Sequence, residues 1–264
     1  MKIVMAMQPL GLQKAFYLGL QIMASANDLK VAPITAQDAN KLIKRLHYSN
    51  KVVPNSQLHL GVFYNNKLEG AMQFGPSINK KGTIRLVRNT KWNGFIELNR
   101  MAFSEKLPRN SESRAISIAM KLIKKHYPHI DWVVSFADGT QCGDGTIYRA
   151  SGFVLTDIRV SDALRINPKT NKPMHVIQAH HLKISKEFRT WQPTKGYQLR
   201  YLYFVNKKCK DNLTVPILPF SKIKEMGASM YKGVNMSLRS KQARAVTNGQ
   251  AEVQPLPERS KILN

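Results

Sequence analysis

The chain has 264 residues, with 41 Lys or Arg against 16 Asp or Glu, and a formal net charge of +25. Apolar residues make up 43%, enough to bury a core without staples, and the two cysteines, Cys142 and Cys209, lack CxxC spacing, which excludes a disulfide scaffold and fits a reducing compartment. The cations are spread along the whole chain, so they point to a polyanionic partner, nucleic acid ahead of an anionic membrane, with mere solubility as the bland alternative.

Residues 1–27 are expected to be an N-terminal extension, a helix or a tail. Phe16, Tyr17 and Leu20 are apolar, but Gln13, Lys14 and Gln21 interrupt them. No run approaches the ~20 residues that span a bilayer, so no membrane association is expected. Lys2 and Ala24-Ser25-Ala26 give a faint signal-peptide pattern, and Met23 is a second possible start.

A globular domain is expected over 28–206. Leu29 to Ile34 reads as a strand, after which Thr35 caps a helix to about Leu46, with Ala39, Leu42, Ile43 and Leu46 on one face. Leu58–Tyr64 and Leu68–Phe74, joined by Asn65-Asn66-Lys67, predict a hairpin. Ile84–Arg88 reads as a short strand, and Glu97–Phe103 as another in which uneven alternation of Leu98, Met101 and Phe103 suggests a bulge. A helix is predicted from Ser111 to about His126, burying Ala115, Ile118, Ala119, Leu122 and Ile123. Trp132–Ala137 reads as a strand covered on both faces. Thr146–Ala150 reads as a short helix closed by Gly152, and Phe153–Val160 and Leu199–Val205 complete the strands. The late alternation of strands and helices implies parallel pairing there. From 207 to 264, with 11 Lys or Arg against 4 Asp or Glu, a basic and partly disordered arm is expected.

The chain carries two resemblances. Ile147-Tyr148-Arg149-Ala150-Ser151-Gly152-Phe153 is similar to the late helix-to-strand motif of GNAT acyltransferases. The runs HYSNKVVPNSQLHLGVF, ELNRMAF, SESRAISIA and WVVSFADGTQCGDGTIYRASGF resemble, in order and spacing over roughly 40–205, the Mom adenine-modification proteins of Mu-like phages. The resemblance implies an α/β, GNAT-like fold with a mixed central sheet flanked by helices. It implies an enzyme, a transferase converting adenine in double-stranded DNA to N6-(carbamoylmethyl)adenine, encoded by a phage, acting in the host cytoplasm and protecting phage DNA from restriction. The alternatives are an acetyl-CoA-dependent N-acetyltransferase acting on a protein or small amine, and a non-enzymatic DNA-binding protein.

By the same resemblance, Tyr48, Arg100, Asp138 and Tyr148 are the expected catalytic residues and Ser113 a donor-binding one. Tyr148 stands where many GNAT enzymes keep a general acid; the alternative is a tyrosine that anchors its short helix. Asp138 ends a buried strand at its carboxyl end, where α/β sheets place their sites, but an Asp turn explains it equally, and Asp144 competes in the same loop. Arg100 would be a lone charge within a strand; pairing with Glu97 is disfavoured because their odd separation puts them on opposite faces. Tyr48 could stack on an extruded base or pack on the core. Ser113, Arg109, Arg114 and Ser111 are the expected donor-binding residues, Arg114 as a phosphate ligand, although the two serines suit helix caps better. Lys124, Lys125, Arg149, Arg200, Lys207 and Lys208 are the expected nucleic-acid contacts. His47 with a loop carboxylate is a weak candidate for iron; His175, His180 and His181 have no ligand spacing.

Coenzyme A-binding GNAT enzymes carry glycines ahead of the donor helix. Here Glu112 and Arg114 stand at those positions; a carboxylate there repels a pyrophosphate. The product chemistry favours an activated glycyl donor, glycyl-tRNA or a thioester, with acetyl-CoA as the alternative and tRNA as a possible second partner. The oligomeric state is open, a dimer included.

Overall fold

Thr35 separates the first two elements of the computed structural model, which describes residues 28–140, 145–228, 230–231 and 234–235. Its hydroxyl accepts the Asp38 N–H at 3.1 Å and donates to the Asp38 carboxylate at 2.7 Å, so β1 (Lys30–Pro33) ends and α1 (Ala36–Leu46) begins there. The hairpin of β2 (Leu58–Tyr64) and β3 (Lys67–Gly75) turns through Asn65 and Asn66. Both have positive φ, 49° and 58°, the conformation of a two-residue turn matched to strand twist.

The expected strand at Ile84–Arg88 is instead α2 (Lys80–Thr83) running into a 3₁₀ turn, Ile84–Leu86. The Asn79 side chain accepts the Gly82 N–H at 3.0 Å and starts this turn. Leu86 and Val87 are thereby buried beneath the sheet, and Val87 keeps only an isolated bridge to Leu213.

Next come β4 (Phe95–Phe103), α3 (Ser111–His126), β5 (Trp132–Asp138) and α4 (Thr146–Ala150). The bulge expected in β4 is present. Gln73 pairs with Arg100 but Phe74 with Leu98, so Asn99 is the extra residue. The buried stripe of α3 is rotated from the expected one: Ile116 and Met120 are buried while Ile118 and Leu122 are half-buried. At the end of α4, Gly152 takes φ 83° and Phe153 N–H donates to the Tyr148 carbonyl at 3.0 Å, the glycine-closed helix end that the sequence predicts.

The long segment after Val160 is more regular than expected. It holds the rest of β6 (Val154–Asn167), β7 (Lys172–His175), α5 (Val176–His181), α6 (Ser185–Thr190) and the first half of β8 (Gln192–Phe204). The eight strands form one sheet in the order β1-β2-β3-β4-β5-β8-β6-β7, the mixed sheet flanked by helices that was expected. Among the described residues only β4 and β5 pair in parallel, which corrects the parallel pairing expected of the later strands: β8 runs antiparallel to both β5 and β6.

Period-2 alternation divides the sheet's side chains between two faces. One face packs Val133, Ala137, Leu98 and Leu199 against Ala115, Ile116 and Ala119 of α3. The other packs Phe95, Trp132, Val134 and Leu202 against Leu86 and Val87, with α1 covering Ala71 farther along. The chain from 207 to 228 is not a free arm. It makes a 3₁₀ turn, Lys207–Asn212, and α7 (Ser221–Glu225). Ile223 and Ala228 are buried, and the Leu218 N–H donates to the Leu155 carbonyl at 2.8 Å. The expected boundary at 207 therefore falls within the folded body. The N-terminal extension, Cys142, Asp144 and the arm beyond 235 lie outside the described residues. Among the described residues no helix is long and apolar enough to cross a membrane.

Candidate active site

The β4–β5 ladder runs only from Phe95 with Trp132 to Leu98 with Ser135. Past that point the two parallel strands part, β4 staying with β3 and β5 with β8. A cleft of about 750 Å³ opens beside the parted ends, on the sheet face opposite α3. It lies within the roughly 300–1,000 Å³ of small-molecule sites and at the carboxyl end of the parallel pair.

The bulge decides what faces this cleft. In a regular strand Glu97 and Arg100 would point apart; the extra residue Asn99 brings both onto the cleft wall, which corrects the expectation of opposite faces. The Arg100 guanidinium donates from Nε to the Lys51 carbonyl at 3.1 Å and from Nη1 to the Asn99 carbonyl at 2.7 Å, so its plane is fixed by backbone. Glu97 is pushed above the usual carboxylate range by burial. Hydrogen bonds from the Ser77 and Asn99 side chains, and the Arg100 charge, pull the other way without cancelling it.

Asp138 lines the same cleft. One oxygen accepts the Thr140 N–H at 2.9 Å, so the turn expected of this residue is present and orients the carboxyl group as well. Tyr48, 55% exposed, lies at the mouth, its ring 4.4 Å from that of His47. His47 accepts the Ser49 N–H on Nδ1 at 3.1 Å, which leaves the proton of the neutral ring on Nε2. Burial, and then the Arg100 charge, lower its pKa to about 4. Among the described residues no three metal-ligating side chains cluster.

Two further arginines complete the wall. Arg200 meets the Asp157 carboxylate at 3.4 Å and the Thr156 hydroxyl and carbonyl at 3.0 and 3.1 Å; Arg159 is the exposed one. Arg200, expected as a surface contact to nucleic acid, is a paired group inside the cleft, and burial lowers its pKa despite the Asp157 charge.

The other expected residues lie elsewhere. Tyr148 is on the α3 face of the sheet, 9% exposed, its ring stacked 4.6 Å from Tyr201 and edge-on to Phe153. Its phenol oxygen accepts the Ser135 hydroxyl at 2.9 Å, and Ser135 also reaches the Leu98 carbonyl at 3.3 Å. The structure thus puts Tyr148 at the seam where β4 and β5 separate, not in the cleft. Neither serine caps α3: Asn110 holds the N-cap in a left-handed conformation, the buried Ser111 hydroxyl donates to the Pro108 carbonyl at 2.5 Å, and the Ser113 hydroxyl to the Asn110 carbonyl at 3.1 Å. Arg109 and Arg114 are exposed at that end. Lys124, Lys125, Arg149, Lys207 and Lys208 are exposed, but none lines the cleft; Arg149 lies over Phe220 and Lys207 over Tyr203. Glu97, Ser77, Asn99, Arg159 and Asp157 were not singled out by the sequence. The uneven alternation of ELNRMAF was the signal that could have found Glu97.

Comparison with known proteins decides the family. The model of the Mom protein family matches residues 28–222. The chain belongs to the Mom protein family. It is 36% identical over 209 residues to the methylcarbamoylase mom of Escherichia phage Mu, an alignment covering 76% of this chain and 86% of that protein. Solved structures overlay more loosely on this Mom-family chain. The spermidine/spermine N-acetyltransferase SpeG of Vibrio cholerae gives a TM-score of 0.43 at 12% identity, covering 70% of this chain and 98% of that one. The ribosomal-protein-S18-alanine N-acetyltransferase of Escherichia coli gives 0.41 at 9%, covering 67% and 94%.

Proposed function

We propose that this Mom-family chain is a transferase that converts adenine in double-stranded phage DNA to N6-(carbamoylmethyl)adenine, shielding the DNA from host restriction in the host cytoplasm. Beside its family membership, the observation that supports this reading most is the convergence of Glu97, Arg100 and Asp138 on a cleft large enough to admit an extruded nucleotide at the parted strand ends. Adenine N6 lies inside the duplex stack, so the base must be extruded to react. Tyr48 at the mouth offers a ring for it to stack on, and the +25 charge holds the backbone.

The two faces of the sheet divide the work. The base enters from the cleft face, where Glu97 or Asp138 accepts the proton that N6 loses as it attacks a carbonyl. The backbone-fixed Arg100 guanidinium suits the negative oxygen that develops there. The acyl donor approaches from the α3 face, along Arg109, Ser113 and Arg114, and its carbonyl meets the amine at the seam. Tyr148, hydrogen-bonded to Ser135 at that seam, protonates the leaving group. Changing Tyr148 to Phe and Asp138 to Ala checks this division. Each is expected to abolish adenine modification while duplex affinity stays within about threefold. A pure DNA-binding protein would keep its function in both. The Tyr148→Phe chain should lose only about 1 kcal/mol of stability, since the Ser135 hydroxyl retains the Leu98 carbonyl.

An activated acyl group is the donor class, and a glycyl ester or thioester fits the product by atom count. Acetyl transfer places no second nitrogen on the base. A glycyl group on N6 gives an isomer of the product. Its free amine then attacks the ring carbon that bears N6, forming a five-membered spiro intermediate, and the amide nitrogen leaves that carbon with the proton. No oxidant or reductant is needed. Glu112, half-buried in the first turn of α3, disfavours a pyrophosphate there, which favours glycyl-tRNA over coenzyme A thioesters. Cells fed glycine labelled with heavy nitrogen should carry the label on the nitrogen bonded to the purine ring. Label in the terminal amide would eliminate the rearrangement, and label in neither position would eliminate glycine.

A further inference from the structure

Ile78 is 90% exposed, and it stands on the rim of the cleft with Tyr48. A lone exposed aliphatic residue ordinarily needs no explanation. This one occupies a loop held on both sides. Ser77 is buried, its hydroxyl 3.2 Å from that of Thr83, and Asn79 accepts the Gly82 N–H at 3.0 Å. The side chain is therefore presented outward on a fixed base rather than left on a loose tip.

The segment just past Ile78 is cationic. From Lys80 to Lys91 the chain carries Lys80, Lys81, Arg85, Arg88 and Lys91 and no acidic residue. Lys81, Arg85, Arg88 and Lys91 are exposed, and the Lys80 ammonium lies 4.6 Å from the ring centroid of the half-exposed Trp92. An apolar tip at the mouth of a cleft that admits a base, followed in the chain by a run of exposed cations, matches one partner chemistry. That partner is a duplex whose stack is opened locally, where apolar wedges fill the gap between base steps and cations grip the flanking backbone.

We propose that Ile78 is the wedge that enters the duplex at the target adenine and occupies the space the base leaves, while the Lys81–Lys91 run holds the adjoining phosphates. This rests on the reading of the cleft as an adenine site. Extrusion is then a push by Ile78 from the stack side and a catch by Tyr48 from the cleft side, and the two are separable by substitution.

The test compares Ile78→Ala with the full-length wild-type protein, in an extract of expressing cells that supplies the donor, on two DNAs: a fully paired duplex, and the same duplex with an abasic site opposite the target adenine. A third duplex carries 2-aminopurine at the target, whose fluorescence rises on unstacking and requires no donor. Because Ile78 is exposed, its removal should leave the melting temperature unchanged. The wedge predicts a loss of modification of about tenfold or more on paired DNA, a loss of less than about threefold opposite the abasic site, and a smaller 2-aminopurine signal at saturating protein. Equal losses on both DNAs, or wild-type behaviour on paired DNA, would overturn it. A wild-type protein that modifies neither DNA would instead sink the adenine-site reading itself, and the wedge with it.

Discussion

Glu97 and His47 flank Arg100 electrostatically, and burial shifts both toward the neutral form. Their consequences for folding run in opposite directions. Between about 4 and 6.5 the unfolded chain protonates His47 and the folded chain does not, so this residue makes stability rise with pH, by up to roughly 3 kcal/mol before solvent screening. Between the ordinary Glu value and its raised folded value, the folded chain keeps a proton that the unfolded chain has lost, so Glu97 makes stability fall as pH rises. The windows overlap and the slopes offset one another in the wild type. Glu97→Gln should expose the His47 slope: denaturant midpoints should rise with pH across mild acid more steeply than in the wild type. The same variant should be at least as stable as the wild type at pH 7 and lose modification activity. Full activity in Glu97→Gln would leave Asp138 as the proton acceptor.

At the scale of elements, β4 carries the account. Deleting Asn99 would restore regular pairing with β3 and turn either Glu97 or Arg100 away from the cleft. A cooperatively folded but inactive protein is expected, measured by thermal unfolding beside an activity assay, whereas retained activity would show that the bulge is dispensable. The bulge is also where the sequence was most and least legible. The spacing of Leu98, Met101 and Phe103 announced an irregularity, but sequence spacing alone assigns Glu97 and Arg100 to opposite faces because it cannot place the extra residue. Thr35, Asn65-Asn66 and Gly152 carry local chemistry that fixes their turns, and these were readable. Ile84–Arg88 was misread because the Asn79 cap, several residues upstream, sets its conformation. Tyr148 was read from a motif that fixes its place in the chain but not which sheet face the α4 turn gives it. Residues 207–228 read as an arm because their apolar residues follow neither a helix nor a strand period among many lysines, yet Leu213, Leu218, Phe220, Ile223 and Ala228 pack them onto the core.

For the whole molecule, charge and topology point to the same partner. Arg100, Arg159 and Arg200 give the cleft a positive wall, and the chain from Lys80 to Lys91, which supplies Gly82, Thr83 and Leu86 to the lining, adds five cations and no acidic residue. The cations first expected to hold DNA, Lys124, Lys125, Arg149, Lys207 and Lys208, lie outside the cleft. Net charge points to a polyanion, but only the fold shows which cations share a surface with the candidate chemistry. In the proposed division of work, the parallel pair that parts past Leu98 and Ser135 separates an adenine side from a donor side. The most direct measurement is nucleoside mass analysis of DNA from cells expressing the full chain. The account predicts a deoxyadenosine pool that carries a carbamoylmethyl group on N6 with the wild type and lacks it with Asp138→Ala. Unmodified deoxyadenosine throughout, from cells that accumulate folded wild-type protein, would contradict it.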